Sequence, residues 1–134
     1  MLTRKLTGLV ALALVLGLSS VASAADKYVA YLDPSRIEPR ADGRALWMAT
    51  PNEIHFSVGI ENCRDHEAVW VLVNGDPIGR VSIDEEGFGT LHVNMRKDQK
   101  DTTKFPRVTA GSSVMVIDAD GEVILYGKFR EFRR

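Results

Sequence analysis

The 134-residue chain has a single cysteine, Cys63, and therefore no internal disulfide. It also lacks the G-x-S-x-G, H-E-x-x-H and glycine-rich phosphate-loop motifs that mark common catalytic sites. No stretch after the first 24 residues shows the spacing of apolar residues that is typical of a helix. These absences predict that the domain depends on an apolar core or on association for its stability. No catalytic residue is predicted.

The first 24 residues have the pattern of a secretory signal peptide. Arg4 and Lys5 precede an apolar run from Leu9 to Leu18, and Ala22-Ser23-Ala24 supplies a small-residue cleavage site. The run is shorter than the roughly 20 residues that cross a bilayer, and no later run is longer, so no transmembrane segment is expected. The sequence thus predicts a signal peptide at 1–24 and one exported domain at 25–134, located in the periplasm or outside the cell.

The charge balance of the domain favours no particular class of partner. Without Arg4 and Lys5 it has 15 basic and 18 acidic residues, a net charge near −3. Such a balance produces no general attraction to nucleic acid or to a membrane surface. No nucleic-acid partner is therefore expected.

Apolar residues alternate with polar ones in short segments separated by turn-forming residues. The clearest case is Ile54, Phe56, Val58 and Ile60, which repeat with the period of a strand that has one buried face. Turns are expected at Asn74–Pro77 and at Asp84–Gly87. The predicted strands cover residues 27–33, 45–50, 54–61, 68–73, 78–83, 88–95, 114–117 and 122–129. The pattern indicates an all-β fold, a small antiparallel β-sandwich or barrel of seven or eight strands, and does not choose between the two.

Potential metal ligands are few. If the third and fourth strands form a hairpin and the chain continues as a meander, His55 lies roughly 20 Å from the loop that carries His66, and His92 lies roughly 14 Å from His55. That leaves Cys63, Asp65 and His66 as a local group with plausible ligand types. The alternative is a polar hairpin loop with a free thiol, and this thiol could also link two chains. The carboxylates at Asp118, Asp120 and Glu122 resemble part of a calcium loop, but hairpin turn chemistry alone explains them.

Two features suggest a binding surface. Several strands are apolar on both faces, and the second face carries Trp70, Leu72, Met115, Ile117, Ile124 and Tyr126. The favoured interpretation is that the N-terminal strands cover these side chains, and the alternative is that they are partly exposed and bind a partner. A polar loop with Arg96, Lys97, Lys100, Lys104 and Arg107, and a basic tail with Arg130, Arg133 and Arg134, could contact an anionic polymer, lipid or protein.

Three hypotheses of function follow. The first is an exported, non-catalytic β-domain that acts by binding an unknown partner or by self-association, through the apolar second face or the basic loop. The second is a metal-binding or thiol-redox-sensitive protein that works through Cys63 and His66. An enzyme of unknown class is third, and no cofactor is predicted.

Overall fold

The chain folds into antiparallel β-strands. The computed structural model describes residues 26–96 and 107–132, which contain no helix and therefore no helix that could cross a membrane. The all-β prediction is confirmed, whereas the predicted signal peptide lies outside the described residues. The strands are β1 (Asp26–Pro34), β2 (Asp42–Ala49), β3 (Glu53–Glu61), β4 (Ala68–Val73), β5 (Asp76–Ser82), β6 (Gly89–Arg96), β7 (Ser113–Ile117), β8 (Val123–Lys128) and β9 (Arg130–Glu131).

Strand boundaries differ from the prediction mainly at the start of β2, which begins three residues earlier, at Asp42, at one turn and at the C-terminal end. The turn between β4 and β5 is only Asn74-Gly75, with φ angles of 52° and 86°, and Pro77 lies within β5. Because β5 is at one end of the sheet order, the missing amide hydrogen of proline is tolerated there. The start of the predicted basic tail instead forms β9, which pairs with Tyr28 and Val29 of β1.

The meander expectation is wrong, because β3 and β4 do not pair. The strand order is β5-β4-β7-β8-β1-β2-β3-β6, so β3 pairs with β2 and β6, and β4 pairs with β5 and β7. The 62–67 connection crosses from one half of the fold to the other instead of closing a hairpin. As a consequence, His55 and His92 lie on neighbouring strands, where His55 is opposite Asn94 and His92 is opposite Ser57.

The sheet curls into a nearly closed barrel. One half contains β1, β2, β3, β6 and β9, the other contains β5, β4, β7 and β8, and Asp33 and Pro34 at the end of β1 pair with β8. The two ends of the order, β5 and β6, are consecutive in the chain and come close together. A Cβ atom at Gly79 of β5 would lie 3.1 Å from the Leu91 side chain of β6.

The inner faces of both halves form one apolar core. Val69, Val71 and Val73 of β4 are fully buried, and Phe56 of β3 contacts Phe129 edge-on with the ring centroids 6.4 Å apart. The register of β7 and β8 shifts between Val116 and Ile117. This irregularity allows both Ile124 and Leu125 to be buried, although they are consecutive in the chain.

Candidate functional site

Three connections bring buried polar side chains together next to the core. Glu38 lies between β1 and β2, Cys63 and His66 lie between β3 and β4, and Asp118 begins the turn between β7 and β8. We call these four residues the Glu38 cluster. Only 4% of Glu38, 8% of Asp118 and none of Cys63 is exposed to solvent.

The connection that carries Glu38 is fixed at both ends. The backbone N–H of Ser35 donates to the carbonyl of Ile124 at 2.9 Å, which holds the connection beside β8. The N–H of Ala41 donates to the carbonyl of Glu38, also at 2.9 Å, and closes a tight turn around Pro39 and Arg40. The position of the Glu38 backbone therefore follows from backbone hydrogen bonds on both sides of it.

The connection that carries Cys63 and His66 is held against the turn between β5 and β6. The N–H of Cys63 donates to the carbonyl of Gly87 at 3.0 Å, and the N–H of Ile83 donates to the carbonyl of Glu67 at 2.9 Å. Gly87 has a φ of 88°, and a Cβ atom there would lie 2.8 Å from the Cys63 nitrogen. Glycine is needed at this position both for its conformation and for this close approach.

A single carboxylate oxygen is the centre of the Glu38 cluster. Glu38 Oε2 accepts hydrogen bonds from His66 Nδ1 at 2.8 Å, from the Asp65 backbone N–H at 2.9 Å and from Cys63 Sγ at 3.4 Å. A buried carboxylate needs such donors, because burial removes the water that would otherwise solvate its charge. Glu38 thus joins two connections that are distant in sequence.

Asp118 contacts the cluster with one oxygen and stabilises its own turn with the other. Its Oδ1 accepts from the N–H groups of Asp120 and Glu122, both at 2.9 Å, as turn chemistry predicts. Its Oδ2 lies 3.6 Å from His66 Nε2. The imidazole of His66 is therefore placed between two carboxylates, with one at each ring nitrogen.

The protonation states follow from these surroundings. Burial, with the neighbouring Glu38 carboxylate, raises the pKa of Cys63 to about 12, so the sulfur is a neutral thiol at neutral pH. Burial also acts to raise the pKa of Glu38, but the hydrogen bonds from His66, Asp65 and Cys63 outweigh it, and the pKa lies below its usual value. The N–H of Glu122 is the main cause of the lowered pKa of Asp118.

A buried neutral thiol does not suit nucleophilic or redox chemistry, which requires an accessible thiolate. Cys63 also donates to Glu38, whose negative charge disfavours ionisation of the thiol. The same burial means that a disulfide between two chains would require the 62–67 connection to open. The geometry of the Glu38 cluster therefore gives no support to the thiol-redox form of the second hypothesis.

The structure changes the set of candidate ligands. Cys63 and His66 come together as the sequence suggests. Asp65 is exposed and contacts the cluster through its backbone N–H. Glu38 was missed, because nothing local distinguishes a glutamate before a proline from a solvated loop residue. His55 lies outside the cluster on β3, where it contacts Glu53 at 2.9 Å and Asn94 at 2.7 Å.

The second faces of β4, β7 and β8 form a separate candidate surface. Trp70, Leu72, Met115 and Ile117 are half-buried, and Tyr126 is 42% exposed. The registers place Trp70 beside Ile117, Leu72 beside Met115, and Met115 beside Tyr126. We call these five residues the outer apolar face. Ile124 was expected among them, but the shift in register places it in the core.

The predicted basic loop is only partly described. Arg96 ends β6, and Arg107 is exposed, with its carbonyl accepting from Asn74 Nδ2 at 3.3 Å. Arg130 belongs to β9, where its guanidinium lies 5.0 Å from the centre of the Tyr31 ring. The remaining predicted basic residues, Lys97, Lys100, Lys104, Arg133 and Arg134, lie outside the described residues.

Comparison with known proteins provides no family for this chain. No family model matches it, and no curated protein is significantly similar to it. Any proposal about function therefore depends on the Glu38 cluster and the outer apolar face themselves.

Proposed function

We propose that this protein is an exported, non-catalytic β-domain that acts by association, and that its outer apolar face pairs with the same face of a second copy. The supporting observation is the contrast between the two sides of β4. Val69, Val71 and Val73 on its inner side are fully buried, whereas Trp70 and Leu72 on its outer side keep part of their surface in contact with solvent. Exposed apolar patches on soluble domains commonly mark interaction sites.

The composition of the outer apolar face favours a second copy as the occupant. All five of its side chains are apolar or aromatic, and the register places charged residues only at its margins, with Arg80 opposite Trp70 and Asp33 opposite Tyr126. Two identical faces related by a twofold axis can therefore pack as stacked sheets do, without bringing like charges together in the centre.

The size of the outer apolar face indicates a weak, reversible complex. It spans three strands and two rows of residues, or about 10 Å by 7 Å between backbone positions at the usual sheet spacings. Stable complexes bury about 800 Å² on each partner, more than such a patch provides. We therefore expect a monomer–dimer equilibrium that depends on protein concentration.

Sedimentation equilibrium of the domain at residues 25–134 tests this proposal. The wild-type domain should show a mass that rises with concentration, and Trp70→Ser and Tyr126→Ser should shift the equilibrium towards monomer. Leu46→Ser is the matched control, because Leu46 is 38% exposed but lies on β2 in the other half of the fold. Circular dichroism of each variant checks that the fold is retained.

Two results would overturn the proposal. One is a wild-type domain that stays monomeric up to millimolar concentration. The other is a dimer that Leu46→Ser weakens as much as Trp70→Ser does, because the contact would then involve a different surface.

The exported location is part of this proposal and has its own test. Expression of the full chain in a bacterial host should yield a mature protein that begins at Ala25 and is released with the periplasmic fraction. Mass spectrometry of that protein identifies the cleavage point. A full-length chain that remains inside the cell would contradict the proposed export.

A further inference from the structure

We propose that Glu38, Cys63 and His66 bind a single divalent transition metal ion of the zinc class, and that Asp118 positions the imidazole of His66. This inference does not depend on the outer apolar face. It assigns three ligands from two connections, with the fourth coordination position open to a water molecule.

The distances between the donor atoms are suited to one ion. Glu38 Oε2, Cys63 Sγ and a ring nitrogen of His66 all lie within 4.8 Å of one another. Tetrahedral zinc bonds of about 2.0–2.3 Å place neighbouring ligand atoms about 3.3–3.7 Å apart. The contact between Glu38 Oε2 and Cys63 Sγ is 3.4 Å, and that between Glu38 Oε2 and His66 Nδ1 is 2.8 Å. Of these two contacts, the second must widen, by about half an ångström or more on this basis.

The types of donor determine the class of metal. Thiolate sulfur, imidazole nitrogen and carboxylate oxygen are each zinc ligands. Calcium and magnesium prefer oxygen donors and would gain little from a cysteine and a histidine. The cluster therefore predicts binding of Zn²⁺ or Co²⁺ and no specific binding of Ca²⁺.

Asp118 has the position of an outer carboxylate that orients a ligating histidine. Its Oδ2 faces His66 Nε2 at 3.6 Å, while Nδ1 contacts Glu38 Oε2 at 2.8 Å. Histidine ligands commonly donate the proton of their second nitrogen to a carboxylate, which fixes the tautomer and the ring orientation. With the proton on Nε2 directed to Asp118, the lone pair on Nδ1 is directed to the metal.

The metal would replace protons that now connect the same atoms. The thiol proton of Cys63 would leave to solvent, the Nδ1 proton of His66 would be exchanged through solvent for one on Nε2, and the sulfur and Nδ1 lone pairs would then bind the ion. Glu38 would exchange these two hydrogen bonds for one metal bond and keep the bond from the Asp65 N–H. Either hydrogen bonds or the metal ion can thus link the side chains of the Glu38 cluster, without a change in the fold.

The ion can reach the site from the side of His66. The His66 side chain is 17% exposed, whereas those of Glu38 and Asp118 are 5% and 9% exposed. An ion that enters beside His66 would have one side facing solvent, where a water molecule can supply the fourth ligand.

The competing explanation is that the Glu38 cluster only fastens the two connections together by hydrogen bonds. Cobalt spectroscopy distinguishes the two, because a thiolate bound to Co²⁺ produces a charge-transfer band in the near ultraviolet that a hydrogen-bonded thiol lacks. Titration of the chelator-treated wild-type domain with CoCl₂ should produce this band, saturate at one ion per chain, and be reversed by excess ZnCl₂. A wild-type domain with no such band would overturn the proposal, and this result requires no variant to fold.

Variants identify the ligands. Cys63→Ser should abolish the band, and Glu38→Gln and His66→Ala should weaken Zn²⁺ binding at least tenfold by calorimetry. Asp118→Asn should keep the band and reduce Zn²⁺ affinity about 10–100-fold, the usual effect of losing an outer carboxylate. The matched control is His55→Ala, which removes an exposed histidine–glutamate pair and should leave binding unchanged. Binding that His55→Ala abolishes and Cys63→Ser does not would place the ion at the surface and refute the assignment.

Discussion

The Glu38 carboxylate should contribute more to stability than any exposed acidic residue of this domain. In Glu38→Gln the amide oxygen can still accept from the Asp65 N–H, but the charge-assisted bonds from His66 and Cys63 are lost or weakened. Hydrogen bonds to a charged group contribute about 1.5–3 kcal/mol each, and the weak thiol donor belongs at the low end. Because neighbouring effects are not additive, we expect a loss of about 2–4 kcal/mol in the free energy of unfolding.

Urea denaturation in the presence of a chelator, followed by tryptophan fluorescence, measures this loss without a contribution from metal. Glu53→Gln is the matched control, since Glu53 also pairs with a histidine, at 2.9 Å from His55 Nε2, but its side chain is 45% exposed. Exposed pairs of this kind contribute about 0–1 kcal/mol. Equal losses for the two variants would refute the conclusion that Glu38 is the centre of a buried hydrogen-bond network.

Three further predictions follow. Because the pKa of Glu38 is lowered in the folded state, its stabilising effect is present above the unfolded pKa near 4.5 and is lost as pH falls through the folded value. The difference in free energy of unfolding between wild type and Glu38→Gln should therefore shrink in acid. A difference that does not change with pH would contradict the charge argument. Cys63, buried and with a pKa of about 12, should react with a thiol reagent at neutral pH only after denaturation, and rapid labelling of the folded domain would contradict its burial. Gly127→Ala should destabilise the domain by about 1–3 kcal/mol in the same urea assay, because the added methyl group would collide with the Tyr31 carbonyl oxygen. Gly59→Ala is the control and should be neutral or slightly stabilising, because the added methyl group there points into open space.

Much of the secondary structure could be predicted because strand periodicity is a local property. On β3, Ile54, Phe56, Val58 and Ile60 alternate with polar residues, and the last three are buried in the apolar core of the protein. Predicted and observed boundaries differ where two signals compete. At Pro77 the sequence predicts a turn, but the chain enters β5 because an edge position tolerates a residue without an amide hydrogen.

The pairing of strands could not be predicted in the same way. Trp70 and Leu72 gave β4 two apolar faces, which left open whether the N-terminal strands cover the outer one. The order of strands places β1, β2 and β3 in the other half of the barrel, across the core from the valines of β4. The outer apolar face therefore remains partly exposed, contrary to the favoured interpretation of the sequence.

The sequence by itself determined that the chain forms short β-strands, that Cys63 has no partner for an internal disulfide, and that Cys63 and His66 lie close together. Only the tertiary structure decided which residue completes their site. Glu38 is 25 residues from Cys63, and Asp118 is 52 residues from His66, yet all four side chains meet because the connection after β3 crosses the fold instead of closing a hairpin. Alternation along a strand depends on the nearest neighbours in the chain. Which connections between strands lie close together depends on strand order, and strand order is set by the packing of the whole core.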